Sequence, residues 1–172
     1  ETNFQVVESA EAAKDGHLNM INSFGEDELK IEIGQATEEA GKAALISLDK
    51  ALTDLRDGKI DALVTSPLNN ACIKLDNGTT FQGQTSYIEE AMGEGKKALK
   101  IFIANNLRIA LATDKIPVSE IPGHINKETL AERLVTLHNT LKRDFFIDNP
   151  RIAVLALNPN ADGQEEQEII IP

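Results

Sequence analysis

Twice in this chain a long amphipathic helical pattern ends at a stop signal and is followed within a few residues by a short apolar run of strand character. Thr37 is a good N-cap. Ala40, Ala44, Ile46, Leu48, Ala51, Leu52 and Leu55 then mark one face of a helix that Gly58 closes, and Ile60 to Thr65 follows as a compact strand. Asn126 begins the second pattern, in which Leu130, Leu134, Leu137 and Leu141 repeat at helical spacing. Asn149-Pro150 stops it, and Arg151 to Leu157 reads as the last strand. Helices and apolar strands in that succession point to a layered α/β domain.

The remaining segments fit the same plan. Asn3 to Val7 and Lys30 to Ile33 are predicted as short strands joined by a polar connection. Ser66-Pro67 is read as opening a short helix through Ile73, and Ser86 and Glu89 have capping-box spacing for a helix running to Met92. Leu99 to Ala104 and Leu107 to Thr113 flank Asn105-Asn106, a pair that tolerates positive φ and predicts an antiparallel hairpin. Acidic Glu165 to Glu168 leads into Ile169-Ile170-Ile171-Pro172, read as a truncated helix. The expectation is therefore a single α/β domain over residues 1–172, cut from a longer parent chain.

With 172 residues there is material for one core. A formal net charge of -11 argues against a nucleic-acid surface, since phosphate contacts need clustered Lys and Arg and no such run exists. Cys72 is the only cysteine and cannot pair within the chain, so it is expected buried and inert in a reducing compartment. No apolar run approaches the ~20 residues of a membrane span. These features give the expectation of a cytoplasmic protein with neither nucleic-acid nor membrane partners.

Four segments end in polar turns where α/β proteins place ligand-contacting residues: Leu63 to Asn70, Gln82 to Ser86, Ala112 to Pro117 and Leu157 to Ala161. They contain no histidine and no cysteine. His17, His124 and His138 lie elsewhere, none with a second ligand at metal spacing. Glu89-Glu90 and Glu165-Glu166 are adjacent pairs that diverge on a helix, hence solvated faces. Thr65, Ser66, Asn69, Thr85, Thr113 and Asn158 remain as candidate contacts for a small polar ligand, although N-capping explains Ser66 and Thr85 equally well.

In order and character the four segments resemble the 4-hydroxythreonine-4-phosphate dehydrogenases of pyridoxine biosynthesis, with further likeness at Glu38 to Ala44, Leu137 to Pro159 and Glu165 to Pro172. The resemblance implies a three-layer α/β/α arrangement like part of the isocitrate and isopropylmalate dehydrogenase fold, a homodimer, and a parent family that uses NAD and a divalent metal. It also locates departures. The family's Pro-Gly-His-Thr-Glu corresponds to Gln82-Gly83-Gln84-Thr85-Ser86, making Gln84 and Thr85 the substrate-binding positions, with Gln84 in place of histidine. Lys115 and Asn160 stand at two metal-histidine positions, and Asn70 at the family lysine. The reading that follows is an engineered or degenerate scaffold of this family, without catalytic residues, metal or cofactor of its own. A metal- and NAD-dependent dehydrogenase and a small-ligand binding module are the alternatives.

Overall fold

The structure, a computed structural model, describes residues 4–25, 29, 31–75 and 77–172. It resolves into two compact units, residues 1–98 and 99–172.

In the first unit, β1 (Phe4–Val7) pairs in parallel with β2 (Leu18–Ile21), Phe4 opposite Leu18 and Val7 opposite Ile21. The second strand is therefore not the one expected. Ile31 to Ile33 joins no ladder among the described residues, Ile33 being fully exposed, and Lys30 and Asn3 lie outside those residues. The segment read as a polar connection contains Leu18, Met20 and Ile21, apolar enough to pair once β1 lies beside it.

Helix α1 (Glu38–Arg56) starts where Thr37 Oγ1 accepts the Ala40 N–H at 3.1 Å, with Glu38 and Glu39 at the positive end of its dipole. Gly58, at φ +70, turns the chain away after it. Gly41, Ala43, Leu48 and Leu52 form its buried stripe, and Cys72, Ile73 and Phe81 are buried in the same unit. Gly41 is there for a steric reason: a Cβ would sit 1.9 Å from the Cys72 carbonyl oxygen.

Three expected elements in this unit change form. Ile60 to Thr65 joins no sheet among the described residues, and Val64 is 94% exposed. Apolar β-branched composition reports that a strand is tolerable, whereas pairing needs a neighbour in register. The helix read from Ser66 to Ile73 shrinks to a 3₁₀ turn over Asn70–Cys72, because the Asn69 side chain caps the Ala71 N–H and starts the turn there. Helix α2 (Gln84–Met92) begins at Gly83, φ +102, rather than at Ser86, which lies inside its first turn. Tyr87 of α2 donates to Asp49 Oδ1 at 2.6 Å and stacks obliquely on Phe81, which ties α2 to α1.

In the second unit β3 (Ile101–Ala104) and β4 (Leu107–Ala110) form the expected antiparallel hairpin, with Asn105 at φ +52 in its turn. The Arg108 guanidinium lies 4.8 Å from the centre of the Phe145 ring. Helix α3 (Ile121–His124) is a single turn. Helix α4 (Lys127–Arg143) is capped by Asn126, whose Oδ1 accepts the Thr129 N–H at 2.9 Å, and Leu141 is its buried anchor. Arg151 to Leu157 joins no ladder among the described residues, with Leu155 83% exposed. The terminal acidic-apolar segment forms a π-helix over Glu166–Ile170. No described helix is long and apolar enough to cross a membrane.

Candidate functional site

In the first unit two of the four flagged segments meet. Gln84, first residue of α2, donates from Nε2 to the Ser66 carbonyl oxygen at 2.7 Å, closing the turn after Thr65 onto the α2 N-terminus. Gly83 permits this because its φ of +102 aims the chain into the helix at an angle a side-chain-bearing residue seldom adopts. Thr85 is exposed in the same first turn. Asn69 spends its carboxamide oxygen on the Ala71 N–H, so its role is local capping. Beside this junction an open cleft of about 370 Å³ is lined by Gly34, Gln35, Gly41, Pro67, Asn69 and Cys72 among others. Cys72 is buried, as expected.

In the second unit the turn after β4 carries Asp114 and Lys115. Lys100 Nζ bonds Asp114 Oδ2 at 2.7 Å and, with Lys115 close by, holds that carboxyl below its ordinary range. Lys115 has a φ of +56, an uncommon conformation for a residue with a side chain.

The fourth segment is organised by a residue that sequence reasoning assigned to solvent. Glu166 is 1% exposed. Its Oε1 accepts the Asn158 backbone N–H at 2.7 Å, and its Oε2 accepts from Asn158 Nδ2 at 3.0 Å. The Asn158 carboxamide is the first cause, and its backbone N–H the second, of a Glu166 pKa below the ordinary 4.5. The Ala161 N–H closes the turn on the Asn158 carbonyl at 3.1 Å, with Ala161 at φ +54 and Asn160 exposed at its tip. Glu165-Glu166 is therefore no solvated pair. Adjacent helical positions do diverge, and here the divergence points one of them inward.

His17 bonds the Asp15 carbonyl in an exposed loop, and His138 is exposed on α4. His124 lies 3.9 Å from Glu120, four residues earlier, so one histidine does have a carboxylate at ligand spacing, contrary to the expectation from sequence. Gln84 and Thr85 belong to the first unit, Lys115 and Asn160 to the second.

The model of the family described as pyridoxal phosphate biosynthetic protein PdxA matches residues 1–172. The chain belongs to the PdxA family. Among its relatives, the 4-hydroxythreonine-4-phosphate dehydrogenase of Bacteroides thetaiotaomicron is 46% identical, over 100% of this chain and 48% of its own length. The same-named protein of Sulfurihydrogenibium sp. is 32% identical, over 99% of this chain and 53% of its own. The chain thus spans about half the length of these curated relatives. The crystal structure of the Klebsiella pneumoniae 4-hydroxythreonine-4-phosphate dehydrogenase superposes with a TM-score of 0.80 at 21% identity, covering 99% of this chain and 53% of that one. The Burkholderia phymatum enzyme gives 0.73 at 25% identity, covering 98% and 52%. The α/β fold expected from the sequence is shown by this likeness.

The two positions that the family resemblance assigns to a divalent metal, Lys115 and Asn160, do not fit one. A lysine ammonium offers no lone pair, and a carboxamide is a weak ligand beside imidazole. Among the described residues no group of three or more His, Cys, Asp or Glu side chains could hold a metal ion.

Proposed function

We propose that this PdxA-family chain keeps the family's substrate-facing framework without its metal chemistry. It is a catalytically silent scaffold that binds a small phosphorylated polar ligand of the kind its relatives are named for. One observation carries the reading: Lys115 and Asn160 occupy turns that are held in defined conformations, yet neither brings a divalent-metal donor of the imidazole type. Gln84 and Thr85 are the ligand contacts in this reading. Gln84 sits with its amide anchored to Ser66, and Thr85 is exposed in the first turn of α2. No NAD or metal belongs to this chain. The protein is cytoplasmic and self-associates as a homodimer, with Ile171 at 65% exposure contributing apolar surface.

The test is calorimetry with 4-hydroxythreonine 4-phosphate, followed by an NADH-formation assay with Mn²⁺ or Zn²⁺ present. Binding of the phosphate at a dissociation constant between about 10 μM and 1 mM without turnover supports the proposal. Turnover above the no-protein background sinks the silent-scaffold reading.

A second reading is metal- and NAD-dependent 4-hydroxythreonine-4-phosphate dehydrogenation by a longer protein containing this chain. The 46% identity to the Bacteroides thetaiotaomicron relative across the full chain favours it. The side chains at Gln84, Lys115 and Asn160 speak against it.

A further inference from the structure

Only one asparagine in this chain is followed by glycine, Asn77-Gly78, and the fold sets that pair in an exposed turn closed by the antiparallel Lys74–Thr80 bridge. The Asn77 carboxamide is held there by two donors. Its Oδ1 accepts the Thr79 backbone N–H at 3.0 Å and the Thr79 hydroxyl at 2.6 Å. A backbone N–H can only donate, so the oxygen of the carboxamide faces Thr79 and not its nitrogen. This is an Asx turn, which folds the side chain back along the main chain toward the intervening Gly78.

Two donors on a carbonyl oxygen make its carbon more electrophilic, and they stand where negative charge collects when that carbon is attacked. The Gly78 nitrogen is the nucleophile within reach, since its attack on Asn77 Cγ closes a five-membered ring. At most residues a Cβ hinders that approach. Gly78 has none, no described atom lies within 4 Å of where one would stand, and its φ of +74 suits glycine alone among unstrained residues. The turn also carries a brake: the Gly78 N–H donates to the Leu75 carbonyl at 3.0 Å and must leave it before the nitrogen can react.

We propose that Asn77 is a modification site, at which the Asn77-Gly78 turn converts through a succinimide to aspartyl and isoaspartyl forms. The Gly78 nitrogen gives its proton to solvent base and bonds to Asn77 Cγ. The Cγ–Nδ2 bond breaks, and Nδ2 takes up a proton and leaves as ammonia. Water is the second reactant. Its addition at Cγ reopens the ring to aspartate, and its addition at the Asn77 main-chain carbonyl gives isoaspartate, in which the chain runs through Cγ. Either product adds a negative charge to a chain of formal net charge -11. An aspartate at 77 still accepts from both Thr79 donors. Isoaspartate instead lengthens the main chain by one methylene inside the turn, which breaks the Lys74–Thr80 register beside buried Ile73 and Phe81.

The 172-residue protein is aged in mildly alkaline buffer and mapped by mass spectrometry, with electron-transfer fragmentation to tell isoaspartate from aspartate. Asn69 is the internal control. It is exposed, and its Oδ1 accepts the Ala71 N–H at 3.1 Å in the same kind of turn, but Asn70 follows it and Ala71 has no hydroxyl. Conversion at Asn77 should exceed that at Asn69 by about tenfold or more. Thr79→Val should slow it about fivefold, the worth of one hydroxyl hydrogen bond, and Gly78→Ala should bring it down to the Asn69 level.

Equal conversion at Asn77 and Asn69, or an unchanged rate in Gly78→Ala, overturns the site. An unchanged rate in Thr79→Val overturns the activation of Cγ by the Thr79 donors. The comparison with Asn69 is made within wild type and stands whatever the variants do. The products are then unfolded in urea and followed through Tyr87. Asn77→Asp should keep the wild-type midpoint, and the isoaspartyl fraction, isolated by anion exchange, should have a lower one. Equal midpoints for these two overturn the register break.

Discussion

Replacing Gly41 by alanine sets two effects against each other, and the structure decides the sign. Gly41 lies in the first turn of α1, where helix propensity alone would make alanine more favourable by up to about 1 kcal/mol. The new Cβ would stand 1.9 Å from the Cys72 carbonyl oxygen and 2.4 Å from its carbon. That is about 1.5 Å inside ordinary contact, and the obstacle is backbone, which cannot rotate aside as a side-chain tip can. Overpacking of a well-filled site costs about 1–3 kcal/mol, and a backbone obstacle belongs at the top of that range. The net expectation is destabilisation by about 2 kcal/mol. Urea unfolding followed through Tyr87 gives the answer. It is the only tyrosine in a chain without tryptophan, and it lies in the same unit as Gly41. A Gly41→Ala protein as stable as wild type, or more so, would refute the close approach of α1 to the Cys72 turn.

Other expectations follow from the same packing. Leu52, at 2% exposure, should cost about 3 kcal/mol when cut to alanine, read as a lower urea midpoint at unchanged slope. Glu166 has a folded pKa below its ordinary 4.5. Its contribution to stability is therefore fully present above that value and lost as the pH falls through the lower folded value. The difference in unfolding midpoint between wild type and Glu166→Gln should be constant from pH 7 to 5 and shrink below about 4.5; a difference that grows on acidification would refute the assignment. Sedimentation velocity should show dimers, and a clean monomer over a wide concentration range would remove the self-association proposal.

How much of this was legible in the sequence varies with the range of the interaction. Thr37 and Asn126 were readable because a cap is decided within three residues, and Asn105 because a hairpin turn needs a residue that tolerates positive φ. Strand pairing was not, since Phe4 finds Leu18 rather than the segment near Ile31, a choice made by two distant stretches together. Gly83 displaced Ser86 as the start of α2 because a backbone angle outranked a side-chain capping pattern. At the candidate site, the turn after Leu157 was visible, and so were the unusual residues at Lys115 and Asn160. Glu166 was missed: adjacent glutamates look like a solvated face, and only the fold shows which one turns inward. A signal was present in the isolated Gly163, five residues after Asn158, since a glycine beside a polar turn often marks close approach.

Metal titration tests most directly the claim that this PdxA-family chain has its framework without its metal donors. Wild type and the Lys115→His, Asn160→His double variant are titrated with Mn²⁺ and with Zn²⁺ by calorimetry, and both proteins are checked for unchanged circular dichroism. The account expects no stoichiometric site in wild type and a weak site in the double variant, because the turns carrying residues 115 and 160 are already shaped. A one-to-one site in wild type tighter than about 10 μM, near -7 kcal/mol, would contradict it.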